Sequence, residues 1–470
     1  MISTALFYIG IGVAFLFLLR SQRFQRANIL DATAGSLAVI RIVTSVVMLV
    51  FLVGENYPST ALLPREGMHH EANVRWLRWL PFFENWHAQA GVLWGLTGVT
   101  AFFLVCSLFG WHSRLSTGLG GFGCLILGGI ARQYVHFFHT GLVPMVVLLV
   151  LACTPCGDAF SFDQRFLRRG RTSQLRSAEV YGWSRFACWC AIALPYTDAA
   201  LSKLRTGTLD WIQADSLRCH LFRDCLLEKG YHFDGTLYLL HAPDWMFSVL
   251  GASVIAIEVS AILLLVSPRA RAVIPWLLVA LHAGTLFLHN VPFFDLMVMP
   301  LLFIDWFRHS RKPEQISVSG DRAIGAKSLS LFVILMVLLP WKHRVQFYPL
   351  TGWGMYRTIE REGVLNYETL RAVLASGKEE PFDPGRFITV LHRGQHRLPL
   401  SRLAFDPEKR RVFSELLATC ARLHSAQVPP EERIIGFLVE FRTWNFREDR
   451  DDPHFGATVE TVGFPLAVDH

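Results

Sequence analysis

The chain has 470 residues, a formal net charge of +7, 52% apolar residues and only 18% charged ones. A soluble globule carries about a quarter charged residues, so an ordinary set of roughly two to four soluble domains is excluded despite the length. The positive charge does not argue for nucleic acid either, because the arginines fall in short stretches between apolar runs, as in the cytoplasmic loops of a membrane protein.

In chain order, the first apolar run, 2–19, has no basic stretch before it and no small-residue cleavage site after it. It reads as a retained helix and not as a signal peptide. A helix needs about 20 apolar residues to cross the hydrocarbon core. Further runs that approach this length lie near 35–53, 91–109, 116–134, 142–156, 179–196, 247–266, 272–290, 292–306 and 327–341, the fifth and ninth being short ones. The expected fold is therefore an all-α polytopic membrane bundle of about ten transmembrane helices. Alternate connections carry Arg20, Arg23 and Arg26, then Arg114, then Arg165 to Arg176, then Arg269 and Arg271, then Arg308 to Lys327. The positive-inside bias assigns these to the cytoplasm and puts the N-terminus, the 197–246 connection and the C-terminal third outside.

From 342 onward the charge density rises. Strand-like runs at Phe387 to Leu391 and Ile434 to Phe441 flank a helix from Asp406-Pro407 to about His424, an N-cap followed by proline at the first helical position. Three regions are expected: residues 1–34 as a first helix and loop, 35–341 as the membrane domain, and 342–470 as a small extracytoplasmic α+β domain able to bury its own core.

Lys203, in the run Tyr196 to Leu204 and followed by Asp210-Trp211, stands just beyond an apolar helix. Two readings apply: a partly dry ammonium whose lowered proton affinity suits a base, or a snorkelling lysine with its stem against the bilayer. Histidines form a second set: His136 and His139 in an outer turn, His282 and His289 on one helix, His232 and His241 in the outer connection. A neutral imidazole there shuttles a proton, or simply bonds a neighbouring backbone. Arg41 and Glu258 are charges at membrane depth, with Asp198 and Asp295 near helix ends; each needs a partner, and Arg41 with Glu258, or Glu258 with His282, would serve. Cys153-Thr154-Pro155-Cys156 is a CxxC placed at the cytoplasmic edge, whereas Cys219 and Cys225 share the outer connection and suit a small-loop disulfide. No HxxxH or HExxH supports a metal.

Several stretches together resemble the horizontally transferred transmembrane (HTTM) domain family, related to the vitamin K-dependent gamma-carboxylase. They are Arg41-Ile42 opening the second run; His139 before a long apolar run; Pro155 to Asp163, similar to a Pro-x-Gly-x-x-x-Ser-x-Asp exit; Ala200-Leu201-Ser202-Lys203-Leu204 with Asp210-Trp211; Glu258 and His282; and Phe347 to Tyr356 after the last helix. The resemblance covers roughly residues 35–310. It implies Lys203 as the base toward a reduced quinone, with His139, and His282 beside it, assisting. Ser202 stands where the family has a first lysine, and the carboxylase's large luminal region has no counterpart. The resemblance thus implies a bacterial inner-membrane member with quinol-linked or proton-abstraction chemistry. The alternative is a non-catalytic scaffold or binding protein that offers its C-terminal domain to a protein or peptide partner outside. Its constant partner in either case is the lipid bilayer.

Overall fold

The computed structural model describes residues 2–63, 76–77, 79, 89–133, 139–167, 176–226, 233–304, 323–357, 359, 362–388, 404 and 406–466. Helices α1 (Ile2–Arg20) and α2 (Gln22–Asn28) meet at a bend of 76°. Then follow α3 (Ala34–Glu55), α4 (Ala90–Phe109), α5 (Ser113–Ala131), α6 (Leu142–Ala152), α7 (Ala178–Gly207) and α8 (Ala214–Cys225). The bundle closes with α9 (Asp244–Ser260), α10 (Leu263–Val266), α11 (Ala270–His289), α12 (Phe294–Val298) and α13 (Ala323–His343).

Among the described residues six helical stretches are long and apolar enough to cross a membrane, seven if the bent α1–α2 pair counts as one. The short fifth and ninth sequence runs give short elements. Helix α6 has 11 residues, about 16 Å at 1.5 Å per residue against a hydrocarbon core of about 30 Å. The run at 292–306 becomes α12 and a 3₁₀ turn, Met299–Phe303. Large apolar side chains such as Val53, Trp94, Phe102, Val249 and Phe332 face outward, a surface that water does not tolerate over many helices.

The central element is α7. Its 30 residues span about 45 Å, and nearly all are buried, from Val180 to Lys203. It is also the helix with the most charges at depth, Arg185, Asp198 and Lys203 among them. A helix surrounded by protein can keep such groups only where partners are supplied. At its first half, Arg185 pairs with Asp31, and the Arg185 and Arg271 guanidiniums both approach the Trp189 ring, 4.3 and 4.0 Å from its centroid. Small residues let neighbours approach: a Cβ on Gly123 would fall 2.2 Å from the Thr100 hydroxyl, and one on Gly182 would fall 2.2 Å from the Ile29 carbonyl.

The segment that resembles a family exit motif is a structural latch. Arg41, fully buried, donates to the Cys156 carbonyl at 2.5 Å and the Phe160 carbonyl at 2.6 Å. Asp163 accepts from the His112 and Ser113 amides, both at 2.7 Å, and so closes the N-terminus of α5. The Tyr181 hydroxyl donates to Asp158 at 2.8 Å. Arg41 therefore does not pair with Glu258. Its charge is spent on backbone carbonyls at the opposite end of the bundle.

The tail carries an antiparallel sheet in the order β4-β3-β5-β6, numbered after a short hairpin of β1 (Gln346–Phe347) and β2 (Leu350–Thr351). Its strands are β3 (Val364–Leu374), β4 (Glu379–Pro381), β5 (Ile434–Asn445) and β6 (Ala457–Pro465). Helix α14 (Pro407–Ser425) packs on β5, burying Phe413, Leu416, Leu417 and Cys420 with Phe437, Val439 and Phe464. The expected strand at Phe387 to Leu391 does not form at its start. The Phe387 and Ile388 amides both donate to the Pro384 carbonyl and close a turn, while Leu391 lies outside the described residues.

The sheet rests on α8. Cys219 and Phe222 pack with Leu365, Tyr367, Trp444 and Phe446, and Asp215 pairs with Arg447. This overturns the disulfide expectation for Cys219 and Cys225. Both are buried thiols on one helix. Six residues along a helix separate Cα atoms by about 9 Å, beyond the roughly 7 Å limit of a bridge. Residues 346–356 do not belong to the sheet. They thread back among the helices, where the Tyr348 hydroxyl donates to the Leu125 carbonyl at 2.8 Å and the Trp76 indole donates to the Tyr348 carbonyl at 2.7 Å.

Candidate functional site

Several segments of the chain converge beyond Pro195 of α7. Four residues before that helix ends, Lys203 projects toward α9, where Glu258 sits on the buried side of an otherwise apolar helix. The Lys203 Nζ donates to both carboxylate oxygens of Glu258, at 2.8 and 2.7 Å, and both residues are less than a tenth exposed. The snorkelling reading of Lys203 is thus replaced by a buried ion pair. Breaking such a pair by removing one member leaves a buried charge and costs about 3–5 kcal/mol.

The pair borders a cavity of about 60 Å³. Trp211, in the 3₁₀ turn Thr208–Ile212, turns its ring toward the ammonium with Nζ 5.5 Å from the centroid, a cation–π contact. His220 from α8 and His282, Thr285 and His289 from α11 complete the polar part; Leu217, Val254, Leu281 and Phe293 supply the apolar part. Met355 and Tyr356, from the segment that threads back out of the tail, close the wall. His220 and His289 ring centroids lie 5.6 and 5.3 Å from that of Tyr356.

His282 is the most telling member. It is 5% exposed, and neither ring nitrogen has a hydrogen-bond partner among the described residues. Its ring packs 5.6 Å from Tyr196 and 5.4 Å from Phe293, and the Tyr196 hydroxyl is already donated to the Leu296 carbonyl at 2.6 Å. A buried imidazole carries one donor and one acceptor, and leaving both unmet costs about 1–3 kcal/mol per group. Such a group beside a cavity suits a ligand oxygen or water.

The cavity thus joins Lys203, Glu258 and His282. It answers the open choice for Glu258 with the lysine and not with Arg41. His139 stands apart from the cavity wall: its Nε2 is 3.0 Å from the Thr351 hydroxyl, and its ring lies 5.0 Å from Trp353. Burial first, and the Arg132 and Lys203 charges second, push this imidazole down to about 3, so it is neutral. It holds the threading segment against the turn before α6. His241 is exposed, 3.3 Å from Asp451, and His136 and His232 lie outside the described residues. Asp295 accepts from the Gly141 amide at 2.8 Å, and Asp198 is buried with neither carboxylate oxygen partnered among the described residues. Of the CxxC, Cys153 is exposed and Cys156 buried, and they are not bridged.

Sequence reasoning passed over His220 and gave Tyr356 no role. His220 had a readable signal, since Leu217, His220 and Leu221 share one face of α8 at helical spacing. Tyr356 ended the 347–356 segment singled out by resemblance, but its place in the wall depends on a chain reversal of long sequence range. Among the described residues no group of three or more metal-ligating side chains gathers anywhere. Compared with protein-family models, curated proteins and solved structures, the chain gives no match.

Proposed function

We propose that the chain is a multi-pass membrane protein of the HTTM type, with about ten membrane-embedded helices and its C-terminal domain outside, and that the Lys203 cavity handles a proton of a lipid-soluble hydroxyl compound such as a reduced quinone. The observation that carries the reading is His282, buried at a cavity beside the Lys203–Glu258 pair with both ring nitrogens unmet. A reduced quinone supplies acidic hydroxyls and, once deprotonated, reducing power toward oxygen. The donor set fits it: Glu258 takes a proton from Nζ, leaving two neutral groups suited to a dry site, and the amine then accepts a proton from a hydroxyl in the cavity. His282 supplies one donor and one acceptor to the same oxygen or to a water beside it. Trp211 holds the ammonium form when the proton returns.

The test has two parts. Mass spectrometry of lipids retained by the gently purified protein is expected to find a quinone near one per chain, and quinol-dependent oxygen uptake by the reconstituted protein is expected to fall on Lys203→Ala. Unchanged uptake in both Lys203→Ala and Lys203→Arg removes this lysine from the chemistry.

A further inference from the structure

The cavity beside Lys203 is too small for the ligand class proposed for it. Its volume is about 60 Å³, whereas a dry engineered cavity that takes one benzene ring measures about 150 Å³. A hydroxyl edge or one or two waters fit; a substituted aromatic ring does not. For such a ring to enter in full, part of the wall has to move.

The wall is mostly regular helix, tied by backbone hydrogen bonds and by the ion pair. The exception is the turn at Met355 and Tyr356, together with Phe293. Two residues of the threading segment, Trp353 and Tyr356, have φ of 47° and 50°, a left-handed conformation that costs bulky side chains about 1–3 kcal/mol each. The start of the segment is fixed: Thr351 pairs with Gln346 in the β1–β2 hairpin, the Gly352 amide donates to the Val345 carbonyl at 3.0 Å, and both Thr351 and Trp353 are buried. Ser202 donates to the Gly352 carbonyl at 2.9 Å, Trp211 donates to the Tyr356 carbonyl at 2.6 Å, and Thr351 meets His139 at 3.0 Å. Two of these anchors neighbour the site itself, since Ser202 adjoins Lys203 in sequence and the Trp211 ring faces its ammonium.

We infer that residues 354–356 form a gate over the Lys203 cavity, hinged on the anchored 351–353, and that the Tyr356 side chain sets the size of molecule admitted. Met355 and Tyr356 are half-buried in a turn outside the helices, and moving them relieves the left-handed strain at Tyr356. Their displacement merges the cavity with the space now filled by the Tyr356 ring against His220 and His289. Because the same segment leads into the C-terminal sheet docked on α8, the tail acts as the other fixed end of the gate. This deepens the proposed reading by naming what limits the ligand, but the gate is testable without any quinone.

The test places a reporter thiol at a buried position of the wall, Leu217→Cys, in the full-length protein in detergent or nanodiscs. Its modification by N-ethylmaleimide and by the smaller methyl methanethiosulfonate is followed by mass spectrometry of the peptide that contains it. Adding Tyr356→Ala is expected to raise the maleimide rate about tenfold, as when an open form at about one-tenth population becomes dominant, with a much smaller effect on the small reagent. Equal maleimide rates in the two backgrounds, or an equal rise for both reagents, overturns the gate. Should Tyr356→Ala fail to give a monodisperse protein, Trp211→Phe decides: it removes the N–H that holds the Tyr356 carbonyl and is expected to give the same selective rise. A gate that responds this way in protein that retains no quinone preserves the inference and removes the quinol reading.

Discussion

Lys203 and Glu258, 55 residues apart in the chain, meet through both carboxylate oxygens at 2.7 to 2.8 Å inside the bundle. Each is buried, so the ion pair stands where bulk water would otherwise solvate two charges. The pair is simultaneously a structural cost and the most chemically versatile object in the molecule, because a single proton shift between the two converts charges into neutral groups.

Removing one member is therefore expected to hurt more than removing both. Glu258→Ala should destabilise by about 3–5 kcal/mol, whereas Lys203→Met with Glu258→Leu should recover most of that loss. Thermal midpoints of the detergent-purified variants check this. A double variant no better than the single ones would show that the ion pair is not what makes the single changes costly.

The His139 imidazole gives a pH dependence with a definite sign. Its folded value, about 3, lies below the ordinary 6.5, so the unfolded chain binds the proton more tightly. Stability from this group is full above about pH 6.5 and falls as the pH drops toward 3, with a limiting slope of about 1.4 kcal/mol per unit. The thermal midpoint should fall from pH 7.5 to 5, and His139→Gln should flatten that slope. An identical slope in the variant would assign the effect elsewhere.

Thiol chemistry should separate two cysteines cleanly. Burial, with Asp383 adding to it, pushes the Cys420 thiol up to about 12, while Cys153 is exposed at a helix end. Iodoacetamide applied to the folded protein at pH 8 should modify Cys153 and leave Cys420 untouched until denaturant is added. Ready labelling of Cys420 in the native state would mean that α14 does not hold it against the sheet.

Arg41 serves as the clamp on the turn after α6. Arg41→Met leaves the Cys156 and Phe160 carbonyls without their guanidinium partner, an expected loss of about 2–5 kcal/mol. Quinol-dependent turnover per folded molecule should be unchanged, since the clamp does not line the Lys203 cavity. Normal stability in Arg41→Met would show that the carbonyls find other donors.

Which side chains meet across the bundle was legible only in part. Lys203, Glu258 and His282 could be singled out because an ionisable group in an apolar run is expensive and stands out one residue at a time. The cost gives no direction, however, so the run around Arg41 and the run around Glu258 looked as suitable for each other as for anything else. Arg41 in fact bonds backbone carbonyls of the 155–160 turn, and carbonyls leave no trace in the amino-acid alphabet. His220 and Tyr356 were harder still: one lies in a charged helix outside the apolar runs, the other in a turn after the last of them.

By itself the sequence determined the helical character, the apolar segments and the change of composition that begins the tail, because hydrophobic length and local capping act over a few residues at a time. It also determined which residues are costly to bury. Only the tertiary structure decided that α7 is the central helix, that α8 carries the sheet, and that residues 346–356 return into the bundle to wall the cavity. Those outcomes depend on side chains from distant segments filling the same volume, and packing of that kind has no signature in the local order of residues.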